Sequence, residues 1–173
     1  MTILDDFKGI TAFVFDMDGV LTNGSLYLFD NGEQVRQMNI KDGFALQLAI
    51  RKGYRVAVLS GSDSVASRDR LKRLGITEIT TNVKDKRSTL LQYMADCGLS
   101  KKEVLFMGDD IPDYGAMIEA GLACAPADAV AEIKKVAAYI CNSGGGMGCV
   151  REVIENTLKL NGNWDISTDT SSL

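Results

Sequence analysis

The chain has 173 residues, with 19 Lys and Arg against 23 Asp and Glu and no histidine, so its formal net charge is −4. This length and a hydrophobic content of 46% are typical of a single globular domain with one sizeable core, and they exclude disorder of the whole chain. Because histidine is absent, serine-histidine-aspartate triads and histidine-ligated zinc are excluded. Acid-base chemistry must therefore use carboxylates, Lys, Cys or Tyr.

The charge pattern and the cysteines indicate which partners and which cellular compartment to expect. The acidic balance offers no basic stripe for a phosphate backbone, so we expect no nucleic-acid partner. The four cysteines have no close paired spacing, which indicates a reducing compartment. The first residues are acidic where a signal peptide is basic, and no apolar run is long enough to span a membrane. We expect a cytoplasmic protein with no membrane partner.

The predicted elements begin with an apolar strand at residues 10–15, whose composition is typical of a strand buried on both faces. Two short segments on either side of Asn31-Gly32, 25–29 and 33–38, predict a β-hairpin. Strands and helices then alternate, as follows: helix 43–52, strand 55–59, helix 64–74, strand 78–81, helix 87–97, strand 104–107, helix 113–119, strand 122–125, helix 129–136, strand 139–141 and helix 150–160.

This alternation predicts an α/β fold, a Rossmann-like parallel sheet with helices on both faces and a hairpin inserted after the first strand. We expect a single domain over residues 1–160. The residues that follow, 161–173, are polar and predict a disordered tail.

Polar side chains follow several of the predicted strands, and the carboxyl ends of parallel strands meet at one edge of a sheet. The residues concerned are Asp16 and Asp18, Ser60 and Gly61, Lys86, and Asp109, Asp110 and Asp113. Carboxylates gathered in this way repel each other unless a cation lies among them, and a site with oxygen ligands suits Mg²⁺. Magnesium is therefore the expected cofactor.

The tripeptide Asp16-Met17-Asp18 has two interpretations. Asp and Gly favour turns, so the two acids can simply belong to a turn with helix-capping carboxylates. Alternatively, one aspartate attacks phosphorus to form an acyl phosphate, and the second protonates the leaving alkoxide. Their position after an apolar strand, matched by the acids after Met107, favours catalysis.

Ser60 and Lys86 also have two interpretations each. Ser60 can cap a helix, and Lys86 can be a solvated lysine at a helix start. A hydroxyl and an ammonium group would instead stabilise the negative charge of a phosphoryl group in transfer. Their order among the acids favours the second interpretation.

The ordered set Asp16-Met17-Asp18-Gly19-Val20-Leu21-Thr22, Ser60-Gly61, Lys86 and Gly108-Asp109-Asp110-Ile111-Pro112-Asp113 resembles the four motifs of haloacid dehalogenase superfamily phosphatases. The resemblance implies that Asp16 is the nucleophile and a metal ligand. It implies that Asp18 is the acid-base residue and binds the metal through its backbone carbonyl. Ser60 and Lys86 would hold the phosphoryl group, and Asp109 would complete the metal site. Asp110 and Asp113 would order metal-bound water or Lys86.

The segments available for a substrate-selecting cap domain are short, since 22–39 has room only for a hairpin and 74–86 only for a strand and a loop. We therefore expect no cap domain. An open site would admit many phosphates unless another chain covered it, which favours a symmetric oligomer.

The rest of the chain, up to about Leu160, resembles the 3-deoxy-D-manno-octulosonate 8-phosphate phosphatases of bacterial lipopolysaccharide synthesis. The resemblance lies in Asp-Gly-Val-Leu-Thr, Asn31-Gly32-Glu33, the run 39–43, Arg70, and Gly145-Gly146-Met147-Gly148 with Val150-Arg151-Glu152-Val153. It implies a Mg²⁺-dependent hydrolase of a sugar acid phosphate and a homotetramer in which hairpins pack together and the C-terminal segment of one subunit reaches a neighbour's site. It also implies substrate contacts at Asn39, Lys41, Asp42, Gly43, Gly61 and Arg70, and a lid that includes Gly145, Gly146 and Arg151.

Several alternatives stay open. Ser62 and Gln47 stand where many members of that family have basic residues, so a nine-carbon keto-deoxy sugar acid 9-phosphate is an alternative substrate. Arg70 can be a surface helix residue, and the glycine run can be a flexible linker. A non-catalytic regulatory module is a second class of function. A phosphotransferase is a third, although such enzymes need a cap to exclude water.

Overall fold

The computed structural model of the chain describes residues 3–164, which form a six-stranded parallel sheet, flanking helices and a separate two-stranded hairpin. The strands are β1 (Ala12–Phe15), β2 (Tyr27–Leu28), β3 (Gln34–Val35), β4 (Arg55–Leu59), β5 (Glu78–Thr80), β6 (Val104–Met107), β7 (Leu122–Ala125) and β8 (Tyr139–Ile140). The helices are α1 (Ile3–Lys8), α2 (Ile40–Arg51), α3 (Val65–Arg73), α4 (Lys86–Cys97), α5 (Tyr114–Glu119), α6 (Ala131–Val136) and α7 (Cys149–Leu160). The predicted α/β class is confirmed.

Strand β1 lies inside the sheet, whose strand order is β5-β4-β1-β6-β7-β8. All four of its residues are buried, as its continuous apolar sequence predicts. Side chains alternate between the two faces, so Phe13 and Phe15 join the core that includes buried residues of α2 and α7, while Val14 joins the core beneath α4 and α5. At its carboxyl end Phe15 is in register with Val58 of β4 and Met107 of β6. The residues that follow these three strands therefore meet at one edge.

Two helical elements differ from the prediction. Helix α1 precedes β1 and was not predicted, because six residues are too few to display a helical period. Helix α2 begins at Ile40 rather than at Gly43, since the Asn39 side chain accepts a hydrogen bond of 2.8 Å from the backbone N–H of Lys41 and caps the helix. Gly43 consequently lies inside the helix.

The hairpin after β1 is confirmed, and each of its strands has only two residues. Its second strand is held beside the loop after β1 by a bridge between Thr22 and Met38. Within residues 3–164 neither this hairpin nor the short segment between β5 and α4 forms a cap domain, as expected. No helix in the described part of the chain is long and apolar enough to cross a membrane.

The first residues of the predicted tail differ from the expected disorder. Trp164 packs with its ring centroid 6.3 Å from that of Phe44, and the Asn163 side chain donates a hydrogen bond of 3.0 Å to the Tyr54 hydroxyl. Residues 163 and 164 thus pack against α2 and the segment that follows it. The rest of the predicted tail, 165–173, lies outside the described residues.

Candidate active site

A cleft of about 330 Å³ opens at the carboxyl edge of the sheet, beyond β1, β4 and β6. This is where the parallel topology places a ligand site. Its lining combines the predicted residues with several others: Asp16, Asp18, Gly24, Ser60, Gly61, Ser62, Val83, Lys84, Lys86, Asp109, Asp110, Pro112 and Asp113. Residues far apart in the chain are therefore brought to one place.

Lys86 forms the centre of a buried charge cluster. Its side chain is only 6% exposed, and its Nζ lies 2.7 Å from Asp16 Oδ1 and 2.5 Å from Asp113 Oδ1. Burial alone would lower the pKa of Lys86, but the two carboxylates outweigh burial and raise it. The cation sits at the first position of α4, where the helix dipole disfavours it. The interpretation of Lys86 as a solvated lysine is therefore wrong.

Three carboxylates converge beside this lysine. Oxygens of Asp16, Asp109 and Asp113 all lie within 4.8 Å of one another. Burial, followed by the charge of Asp16, raises the pKa of Asp109 to about 8, and burial together with the charge of Asp113 raises the pKa of Asp16 to about 6. The Asp109 Oδ1 atom is buried and has no hydrogen-bond partner among the described residues.

This donor set fits Mg²⁺. A buried carboxylate oxygen without a partner, close to two further carboxylates, is costly unless a cation binds it. A divalent ion would lower both raised pKa values and keep the acids ionised. Asp16 and Asp109 would supply side-chain oxygens, and Asp113 also accepts hydrogen bonds from the backbone N–H groups of Asp109 and Asp110.

Two glycines allow the acids to come this close. Gly19 has a φ of +90°, and a Cβ atom there would overlap the Asp109 carboxylate. At Gly108, a Cβ atom would overlap the side chain of Asp113. The glycines of the first and last motifs are therefore required by close packing around the acids.

The Asp18 carboxylate lines the same cleft and contacts one residue of the hairpin and one of the loop after β4. It accepts hydrogen bonds from Arg36 Nε at 2.7 Å and Nη2 at 3.3 Å, and from the Ser62 hydroxyl at 2.7 Å. Burial would raise the pKa of Asp18, but the hydrogen bonds from Arg36 and Ser62 lower it. Metal ligation by the Asp18 backbone carbonyl stays a prediction.

Ser60 is buried at the carboxyl end of β4, where its backbone N–H donates to Thr80 at 2.9 Å. Its hydroxyl accepts a bond from the Ser62 N–H at 3.2 Å, while Ser64, and not Ser60, caps α3. Asp110 lies at the cleft rim and accepts from the N–H of Ile111 at 2.8 Å. Gly61 lines the cleft and is exposed to solvent.

Of the predicted substrate residues, only Gly61 lines the cleft. Asn39 caps α2, and Lys41 is exposed at the start of that helix. Gly43 is buried where α2 meets α3, and a Cβ atom there would lie 3.1 Å from Arg70 Nη2. The Arg70 guanidinium thus packs on α2, beside a second hollow between the hairpin and α3.

Asp42 differs most from its predicted role. It is 2% exposed, and its Oδ1 accepts a hydrogen bond of 2.8 Å from the backbone N–H of Arg151. The residue therefore caps the N-terminus of α7 from outside that helix. This carboxylate is buried and does not line the cleft, so the structure gives the predicted substrate contact at Asp42 no support.

The glycine-rich loop does not cover the cleft in this chain. Gly145 and Gly146 are buried, and the N–H of Gly146 donates to Val20 at 2.9 Å. A Cβ atom at either glycine would overlap the backbone of the loop after β1. The loop packs against the loop after β1, so the interpretation as a flexible linker is wrong. The lid over a neighbouring subunit's site stays a prediction.

Arg151 is also remote from the cleft. Its guanidinium lies 5.6 Å from the ring centroid of Phe44 and 5.3 Å from that of Trp164, and its Nε pairs with Glu155 at 3.0 Å. These contacts place it on the outer face of α7.

Comparisons with known proteins agree with this geometry. A model of the haloacid dehalogenase-like hydrolase family matches residues 71–152. The chain is 31% identical over 158 residues to the 3-deoxy-D-manno-octulosonate 8-phosphate phosphatase KdsC of Escherichia coli strain K12, covering 91% of this chain and 84% of that protein.

Solved structures of such phosphatases have the same fold. The Moraxella catarrhalis enzyme, in complex with a magnesium ion, a phosphate ion and a KDO molecule, has a TM-score of 0.90 and 32% identity, covering 93% of this chain and 92% of the other. The Yersinia pestis enzyme has a TM-score of 0.90 and 29% identity, covering 93% and 87%.

The fold and the cleft together define a haloacid dehalogenase-like hydrolase. Residues 3–164 contain the carboxylate cluster and no cap domain, so the chain is a member of that class without a cap domain in its described part. The chain belongs to the family of 3-deoxy-D-manno-octulosonate 8-phosphate phosphatases.

Sequence reasoning missed Arg36, a charged residue that contacts Asp18. Arg36 follows β3 and lies 18 positions from Asp18, so no local spacing connects the two. The only signal in the sequence was a lone cation in an otherwise apolar and amide-rich segment of the hairpin.

Proposed function

We propose that the chain is a Mg²⁺-dependent phosphatase that hydrolyses 3-deoxy-D-manno-octulosonate 8-phosphate to the free sugar acid and phosphate. The single observation that carries this proposal is the convergence of Asp16, Lys86 and Asp109 at one cleft. The relatives support the choice of substrate.

The first half-reaction would form a bond between an Asp16 carboxylate oxygen and phosphorus while the ester bond to the sugar breaks. Asp18 in its protonated form would donate its proton to the departing sugar oxygen and become a carboxylate, which the hydrogen bonds from Arg36 and Ser62 stabilise. Lys86 and the Ser60 hydroxyl would stabilise the charge on the phosphoryl oxygens. In the second half-reaction a water molecule would attack phosphorus and release phosphate from Asp16. Asp18 would accept the water proton and return to its starting form. Bound magnesium would supply electrostatic stabilisation of the transferring group.

The test compares phosphate release by the wild type, Asp16→Asn and Asp69→Asn on the eight-carbon and nine-carbon keto-deoxy acid phosphates. Asp69 is exposed on α3 and serves as a matched control. We expect activity in the wild type and the control, a preference for the eight-carbon substrate, and a loss of at least about 10³-fold in Asp16→Asn. Equal activity in Asp16→Asn would refute the mechanism, and a preference for the longer substrate would refute only the substrate.

We also propose that the chain forms a homotetramer through its hairpins. A two-stranded hairpin is marginal alone, and this one exposes a run of large apolar residues that includes Leu28 at 72%. Sedimentation should give four times the chain mass of 18.7 kDa, and Leu28→Lys should give a smaller species. A monomeric wild type would contradict this proposal.

The predicted lid, in which the C-terminal segment of one subunit reaches a neighbour's site, is part of this proposal. A cytoplasmic location is part of the same proposal. It is supported by the four cysteines, all of which are free thiols and three of which are buried.

A further inference from the structure

We propose that Arg36 is a positioning residue for the acid-base group, so that the hairpin takes part in catalysis as well as in the proposed assembly. This inference rests on the proposed function. Arg36 approaches Asp18 with two nitrogens, Nε at 2.7 Å and Nη2 at 3.3 Å, on both carboxylate oxygens. Such paired bonds fix the plane of a carboxylate as well as its place.

The surroundings of Arg36 argue against an incidental surface ion pair. Its side chain is only 7% exposed, whereas that of Asp18 is 35% exposed at the cleft. Exposed pairs contribute little because water and side-chain entropy compete with them. A nearly buried guanidinium keeps its geometry, so the partly open Asp18 receives a fixed orientation.

Ser62 also contacts the Asp18 carboxylate. Its hydroxyl donates to Asp18 Oδ2 at 2.7 Å, and Arg36 Nη2 lies 3.4 Å from the same hydroxyl. Many members of the family have a basic residue at position 62, and such a side chain would lie close to the Arg36 guanidinium here. This chain has the small hydroxyl of Ser62 at that position. The cation beside the acid comes from the hairpin instead.

Contacts at the base of the hairpin hold Arg36 near Asp18. The bridge between Thr22 and Met38 ties the chain just after Arg36 to the loop that carries Asp18. The Asn23 side chain also donates a hydrogen bond of 3.4 Å to Gln37. Arg36 is therefore held near Asp18 by contacts between the two ends of the same insertion.

The kinetic test uses Arg36→Met and Arg36→Lys, with Arg73→Met as the matched control, because Arg73 is exposed on α3. Each is assayed on two substrates: the sugar acid phosphate, whose alkoxide needs a proton to leave, and p-nitrophenyl phosphate, whose phenolate does not. Rapid-quench measurements give the first-turnover release of each leaving group. This step depends on the acid and precedes the hydrolysis of the intermediate.

We expect Arg36→Met to slow the first turnover of the sugar acid phosphate by at least about tenfold, while p-nitrophenolate release changes by less than about threefold. Arg36→Lys should recover part of the loss, since it keeps the charge but not the paired geometry. Equal losses on both substrates would indicate a merely structural role and overturn the inference. Unchanged turnover of the sugar acid phosphate would overturn it too.

A second measurement does not depend on turnover. In the metal-free protein the Arg36 Nε–H resonance should be shifted and protected from exchange with water, and Asp18→Ala should abolish both effects. An Arg36 signal that Asp18→Ala leaves unchanged would contradict the contact. If the wild type hydrolyses neither substrate, the proposed function fails, whereas the resonance still reports on the contact itself.

Discussion

At the scale of single residues, the site depends on a lysine placed where electrostatics disfavours it. Neither solvent nor the helix dipole stabilises the charge of Lys86, which two carboxylates stabilise instead. Removing its charge would leave Asp16 and Asp113 facing each other in a buried setting. The pairing therefore links the stability of the metal-free protein to catalysis.

We predict that Lys86→Met lowers the free energy of unfolding of the metal-free protein by about 3 to 5 kcal/mol. Phosphate release in the presence of magnesium should fall at least about 100-fold, because the phosphoryl charge loses its ammonium partner. Chemical denaturation and a phosphate assay measure the two effects. Lys72→Met, on the exposed face of α3, is the control, and equal activity of the two variants would contradict the role of Lys86.

Asp109 is the residue whose environment depends most on a cation. Its raised pKa and its unpartnered buried oxygen are both costs that a divalent ion removes. We predict that Asp109→Asn leaves the metal-free protein as stable as the wild type or more so, and abolishes stabilisation by magnesium. In the wild type, magnesium at about 100 times its dissociation constant should add about 2.7 kcal/mol.

Thermal unfolding with and without magnesium tests this prediction, with Asp69→Asn as the control. A magnesium response in Asp109→Asn equal to that of the wild type would show that the ion binds elsewhere. Loss of the response in the control as well would point to a nonspecific effect of the ion.

At the scale of elements, the helices α2 and α7 are joined by a buried carboxylate. Burial raises the pKa of Asp42 to about 6, although backbone N–H groups of Arg151 and Gly148 oppose the rise. The folded state therefore binds the proton more tightly than the unfolded state does. Protonation stabilises the fold as the pH drops from about 6 toward 4, and ionisation at pH 7 destabilises it.

We predict that Asp42→Asn, which keeps an oxygen acceptor for α7, gains stability relative to the wild type as the pH rises. Between pH 4 and pH 7 the difference in the free energy of unfolding should shift by about 2 to 3 kcal/mol in favour of the variant. Urea denaturation at several pH values measures it, with Asp69→Asn as the exposed control. A difference that is constant with pH would contradict the buried ionisation.

Comparison of these elements with the sequence shows what local patterns can predict. The positions of Asp16, Ser60 and Asp109 followed from apolar strands that end in polar residues, since parallel strands align their carboxyl ends. The start of α2 was misplaced because Gly43 resembles a boundary, whereas the cap is Asn39. The Arg36 contact and the capping by Asp42 join segments far apart in the chain, so no period or spacing reveals them.

At the scale of the whole molecule, one edge of the sheet carries the chemistry and the rest of the fold positions it. The glycine-rich loop packs against the loop after β1, and Arg36 of the hairpin contacts Asp18. The cleft itself stays open toward solvent at Gly61. An assembly that covers this opening would limit access of bulk solvent and of other phosphates to the cleft and add contacts to the sugar acid.

The central claim is that Asp16 becomes phosphorylated during turnover. The direct measurement is acid quenching of the enzyme with substrate and magnesium, followed by borohydride reduction and peptide mass spectrometry, which converts an aspartyl phosphate to homoserine. We expect homoserine at position 16 only when substrate and magnesium are both present. Phosphate release without any modification of Asp16, or modification at another residue, would contradict it.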